Sequence, residues 1–229
     1  MQAIEGVLFE PVGCLAEFPS GPFLEIAFRL FGRKRKTSQS GSRSYWHLLN
    51  LMQSASKKLE ESERQRVEAL EVQAVAGASV YADVVPALSE LKSMSVKLFI
   101  ASSLSGAAIS RFLDRYSLNQ FFSAVWSRDN AVGVKAAPLQ AAIVGASLKP
   151  EQVMFIADTL EGLKVAQTVG VHSILMMNDP DEARRLALHN PSGGIVSLHE
   201  LPDFIRLVAA ENSSPPGAIR FSSSGPTGI

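Results

Sequence analysis

The chain has 229 residues, of which 46% are hydrophobic and 19% charged, and its formal net charge is zero. That is enough apolar material for one large core, and the balanced charge leaves no global field to draw nucleic acid or an anionic membrane. The single cysteine, Cys14, excludes an internal disulfide and a multi-cysteine metal site and fits a reducing, soluble compartment. No run reaches the ~20 apolar residues of a membrane helix, and a first strand near Ile4 leaves no room for a signal or transit peptide.

Val7, Leu8 and Phe9 form a short apolar run that stops at Glu10-Pro11, which predicts a buried strand ending in a turn. A helix is expected over Pro22 to Phe31, with Phe23, Ile26, Ala27 and Leu30 on one face. Gly32 to Ser44 carries four consecutive basic residues and then small polar ones, so it reads as an exposed, mobile loop. Tyr45 to Met52 is helical by pattern. Ser54 to Val75, rich in Glu, Lys, Arg and Leu but sparse in apolar positions, predicts one or two surface helices.

From Asp83 the pattern alternates. Strands are expected at Val96–Ala101, Ala124–Trp126, Gln152–Ala157, Val171–Met176 and Gly194–Val196. Helices are expected at Val84–Met94, Ser105–Tyr116, Ala137–Gly145, Gly162–Val169, Asp181–His189 and Leu201–Ala210, with Gly170 as a stop. Such alternation means βαβ units and a parallel sheet. The reading is a doubly wound α/β, Rossmann-like core over residues 1–15 and 83–210, a helical cap over 16–82 inserted after the first strand, and a disordered Ser/Pro/Gly tail over 211–229.

In open α/β sheets ligands bind beyond the carboxyl ends of the strands, which places Glu10, Ser102, Ser103 and Asp158 where chemistry would occur. Taken singly each has a plainer explanation. Ser after a strand is common turn chemistry, lone Lys and Asp residues in loops are usually solvated, and Asp158 would also cap the helix that follows.

The order of these residues, with the text YADVVPALSELKSMSVKLFIASS, a Lys-x-x-Pro at Lys135 to Pro138, and FIADTLEGLKVAQTVGV, resembles the haloacid dehalogenase (HAD)-like superfamily, in its phosphatase branch with a helical cap after the first strand. The resemblance covers about residues 3 to 208. It implies a first motif Asp-x-Asp-Gly-Thr, whose first Asp attacks phosphorus and whose second serves as acid and base. Here that motif reads Glu10-Pro11-Val12-Gly13-Cys14: Glu10 stands at the nucleophile position, Val12 at the acid/base position, and only Gly13 matches. The resemblance further implies phosphate binding by Ser102, Ser103 and Lys135, and a Mg²⁺ held by Glu10 and Asp158, with Glu161 as a substitute ligand.

An extra methylene at Glu10 displaces the attacking oxygen, and misplacement of about 1 Å can cost on the order of 10²-fold. Val12 has no proton to give, which removes a further ~10²–10⁴-fold. Two expectations follow. In the first, the chain is a catalytically degraded family member that binds a protein partner or a phosphorylated small molecule. In the second, it is a slow Mg²⁺-dependent phosphomonoester hydrolase, phosphoglycolate-phosphatase-like, with Glu10 as nucleophile or an acid supplied by the cap.

Arg33 to Lys36 is a weak candidate for nucleic acid, because no aromatic is interleaved for stacking. Thr37, Ser38, Ser40 and Ser42 beside it would accept phosphate. The four histidines lack metal-ligand spacing. Cys14 reads as a small, half-buried stand-in for Thr, and Ala218 to Phe221 as a candidate docking strand in the tail.

Overall fold

The structure is a computed structural model that describes residues 3–32, 40–55, 59–178 and 180–213. The basic run Arg33–Lys36, Thr37, Ser38 and the Ala218–Phe221 segment lie outside the described residues.

The chain opens with β1 (Gly6–Phe9), every residue of which is buried. A single turn, α1 (Pro11–Cys14), follows and is broken by the non-helical backbone of Val12 and Gly13. The short strand β2 (Ala16–Glu17) leads into α2 (Ser20–Phe31), α3 (Gly41–Ser54) and α4 (Glu61–Ala76), and β3 (Ser79–Val80) returns the chain. Then come α5 (Val84–Ser93), β4 (Lys97–Ala101), α6 (Gly106–Arg115), β5 (Ala124–Trp126), α7 (Ala136–Ala146), β6 (Val153–Ala157), α8 (Leu160–Val169), β7 (His172–Met176), α9 (Pro180–Ala187), β8 (Gly193–Ile195) and α10 (Leu201–Ser213).

Six strands form one sheet in the order β5-β4-β1-β6-β7-β8, all parallel. The strands read as continuous apolar runs because helices cover both faces. β1 lies between β4 and β6, paired Phe9 to Ile100 on one side and Phe9 to Ile156 on the other. The strand order therefore reverses beside β1, and its carboxyl end is the topological switch point where doubly wound sheets bind ligands. Glu10 sits there.

The inserted helices are less regular than the sequence pattern predicts. Gly41–Ser44, expected in a loop, is the first turn of α3. Ser40 caps it, its hydroxyl accepting from the Arg43 N–H at 3.4 Å. Ser42 is buried, which removes it as an accessible phosphate acceptor. The charged helix α4 is not a pure surface helix: Val67, Glu71, Ala74 and Val75 share its buried face. β2 and β3 pair antiparallel where the chain leaves and re-enters the sheet domain, a strand pair too short for a period-2 pattern to show. Thr159, not Asp158, caps α8, its hydroxyl accepting from the Gly162 N–H at 3.2 Å. Gly170 ends that helix in the left-handed region, as expected. The closing helix runs on to Ser213, through the first residues expected in the tail. Among the described residues no helix is long and apolar enough to cross a membrane.

Candidate active site at the strand ends

Each predicted site residue that follows a core strand lies at that strand's carboxyl end, because β1, β4 and β6 are neighbours in register. Glu10 follows β1, Ser102 and Ser103 follow β4, and Asp158 follows β6. Glu10 is 3% exposed. The Ser102 hydroxyl donates to its Oε1 at 2.6 Å. On the other side the Tyr45 hydroxyl, from α3, donates to Oε2 at 3.0 Å. Tyr45 and Ser102 oxygens are themselves 3.3 Å apart, so the three side chains close a ring. Backbone N–H groups of Val12 and Ser103 also point at the carboxyl.

Among the described residues no cation acts on Glu10. Burial pushes its pKa from 4.5 up to about 8, against the smaller opposing pull of the Ser102 and Tyr45 hydroxyls. At neutral pH the carboxyl is mostly protonated, and a neutral carboxylic acid is a poor nucleophile. Val12, at the acid/base position of the motif, is fully buried and supplies only packing.

Lys135 is placed differently. Its backbone N–H donates to Ser103 Oγ at 2.6 Å, while its ammonium donates to Asn50 Oδ1 on α3. It is not among the groups that act on Glu10. Burial lowers its pKa, with the nearby Glu161 carboxylate opposing. Of the remaining phosphate-binding candidates, Ser102 donates its hydroxyl to Glu10, whereas Ser103 Oγ accepts from the Lys135 N–H.

Gly13 is required where it stands. Its φ is +84°, and a Cβ there would lie 2.1 Å from Asp158 Oδ2 and 2.8 Å from Ser42 Oγ. The Ser42 hydroxyl donates to Asp158 Oδ1 at 2.8 Å, a second contact from α3 onto the strand ends. Cys14 is fully buried rather than half-buried. Burial raises its thiol pKa, with the Asp158 and Glu10 charges adding to the effect, and the thiol donates to the Ile156 carbonyl at 3.4 Å. It is a packing residue.

The Mg²⁺ that the resemblance implies wants near-octahedral oxygen ligands, a couple of them carboxylates. The residues present do not fit it. Both Glu10 oxygens face O–H donors, and Ser42 donates to Asp158. Among the described residues no group of three or more His, Cys, Asp or Glu side chains could hold a metal ion, and no buried side-chain polar atom lacks a partner.

A second polar contact joins the inserted helices to the sheet. Glu71 of α4 is 1% exposed and meets Arg128, which follows β5, in a fork: Oε1 at 2.6 Å and Oε2 at 3.0 Å. Arg128 also donates to the Ser103 carbonyl at 3.0 Å, and Glu71 accepts from the Ser105 N–H at 3.0 Å. Burial works to lower the Arg128 pKa, but the Glu71 carboxylate more than reverses it. Tyr45, Ser42, Glu71 and Arg128 are the residues that sequence reasoning missed. For Glu71 a signal existed: it lies four residues after Val67 and three before Ala74, on the apolar stripe of α4.

Comparison with known proteins agrees with this architecture. The family model for haloacid dehalogenase-like hydrolases matches residues 34–176. A conserved haloacid dehalogenase-like protein of unknown function from Agrobacterium tumefaciens is 21% identical, covering 90% of this chain and 100% of that one with a TM-score of 0.64. A HAD phosphatase from Thermococcus onnurineus is 18% identical over 88% of this chain and 98% of its own, TM-score 0.61. An L-2-haloacid dehalogenase from Xanthobacter autotrophicus is 17% identical over 89% and 98%, TM-score 0.59. No curated protein sequence matches. At these identities the structures establish a shared fold alone, and the family model spans more than half the chain. The chain belongs to the haloacid dehalogenase-like hydrolase family.

Proposed function

We propose that this chain is a family member in which phosphoester turnover has been lost and whose work is binding. The observation that carries this reading is the closed Glu10–Ser102–Tyr45 ring. The group at the nucleophile position is an uncharged carboxyl held between two hydroxyls, with a buried isopropyl group, Val12, at the position of the proton donor. Hydrolysis of phosphate monoesters is among the slowest of uncatalysed reactions, and enzymes supply up to ~10²¹-fold acceleration. A site without nucleophile, acid or metal donors is left far short of that.

The test is a panel of phosphorylated metabolites with Mg²⁺, comparing the protein with Glu10→Ala. The reading predicts no turnover that depends on Glu10. Turnover that Glu10→Ala abolishes would overturn it in favour of a Mg²⁺-dependent hydrolase that uses Glu10. Glu10→Asp with Val12→Asp is predicted to recover no activity while Tyr45 remains. Adding Tyr45→Phe removes the hydroxyl that occupies the second carboxyl oxygen.

A further inference from the structure

Away from the closed Glu10 ring the molecule keeps a separate opening. A cavity of about 600 Å³ lies between the inserted helices and the loop that precedes α7. Its wall is made of Phe31, Met52 and Leu59 on one side and Val132 and Val134 on the other. Four of these apolar side chains are only half-buried, and Val132 is 90% exposed. The volume and the apolar wall are those of small-molecule pockets.

The polar groups of the cavity restrict its occupant. Arg128 is spent on Glu71 and Ser103. Arg64 is spent on Glu61 and the Leu59 carbonyl. Asp129 lines the cavity itself, and the adjoining part of the cleft adds Glu61 and Glu68. An anion entering here meets committed guanidinium groups and surplus carboxylates. The nearby Lys135 ammonium is tied to Asn50. Among the described residues the charge balance disfavours phosphate, while an uncharged apolar body meets a matching wall.

Val132 gives a second, independent pointer. It is a β-branched residue at φ 53°, in the left-handed region that such side chains avoid, and it holds its isopropyl group at the cavity rim. Strain of this kind collects at ligand clamps and switch regions. Here it presents an apolar group to solvent, where a bound molecule would cover it.

We propose that this cavity binds an uncharged, largely apolar small molecule, so that the family's phosphate chemistry is replaced by apolar recognition next door. The proposal rests on the reading that phosphoester turnover at Glu10 has been lost. The test uses the full chain and the neutral fluorescent probe phenylnaphthylamine, with its sulfonated counterpart anilinonaphthalene sulfonate as the anionic control. The expected result is saturable binding of the neutral probe, weaker binding of the sulfonate, and no displacement by inorganic phosphate. Met52→Glu and Val132→Asp are each expected to weaken neutral-probe binding on the order of tenfold. Val132→Asp places a polar residue at an exposed position, so near-UV circular dichroism is expected to show it folded. No saturable binding, an affinity in both variants unchanged from that of the native chain, or displacement by phosphate would overturn the proposal. Phosphoester turnover alongside the expected probe behaviour would instead remove the loss-of-catalysis reading and leave this cavity standing.

Discussion

Glu10 and Glu71 are both buried carboxylates at places where the inserted helices meet the sheet, at 3% and 1% exposure, yet they are handled in opposite ways. Glu71 faces a guanidinium in a two-pronged contact and a backbone N–H, so its charge is matched. Glu10 faces the Ser102 and Tyr45 hydroxyls and the Val12 and Ser103 N–H groups but, among the described residues, no counter-charge, and burial pushes it toward its neutral form. Both arrangements fasten α3 and α4 over the strand ends. One does so with an ion pair and the other with a hydrogen-bonded ring. One buried carboxyl is thus matched by a guanidinium where it serves as a clasp, and the other is pushed toward its neutral form at the end of β1.

The comparison can be broken most severely at the clasp. Arg128→Ala leaves Glu71 buried without its counter-charge, and removing one partner of a buried pair costs about 3–5 kcal/mol. Urea unfolding of Arg128→Ala is expected to show a loss of that size. Arg128→Met with Glu71→Leu is expected to lose less, because no unmatched charge remains. Equal losses in the two proteins would mean that the pair's charge match is unimportant.

Gly13→Ala tests the floor of the strand-end site. The backbone conformation at φ 84° and the 2.1 Å approach to Asp158 predict a cost of about 2–4 kcal/mol, read as a fall in the unfolding midpoint.

Glu10 itself predicts a pH dependence of known sign. The folded protein keeps the Glu10 proton up to about pH 8, whereas the unfolded chain releases it near 4.5. Between those values the native state binds more protons, so stability falls as pH rises, by up to about 1.4 kcal/mol per pH unit. The contribution is fully present below 4.5 and is lost by about pH 8. Glu10→Gln is expected to abolish that slope and to be more stable than the native chain at pH 8. An unchanged slope would place the titration elsewhere. The smallest effect is expected from Tyr45→Phe, which removes one hydrogen bond from the ring and costs about 1 kcal/mol in thermal or urea unfolding.

Much of the sheet is readable from the sequence because β1, β4 and β6 are continuous apolar runs, and because Gly170 stops α8 where a stop residue is expected. Glu10, Ser102 and Asp158 are readable as strand-end residues for the same reason. What is not readable is contact across the insertion. Tyr45 reaches Glu10 over 35 residues, Glu71 reaches Arg128 over 57, and Ser42 reaches Asp158 over 116, and no local period records such pairings. Glu71 is also hidden among the other glutamates of α4, which together read as a solvated face. The two-residue strands β2 and β3 are too short for alternation to appear at all.

Carbon-13 NMR titration of the Glu10 side-chain carboxyl in the folded protein, assigned with Glu10→Gln, asks whether the group at the nucleophile position is a buried neutral acid. A midpoint near pH 8 is expected; a midpoint at or below the ordinary 4.5 would mean an ionised, available carboxylate and rule the neutral acid out.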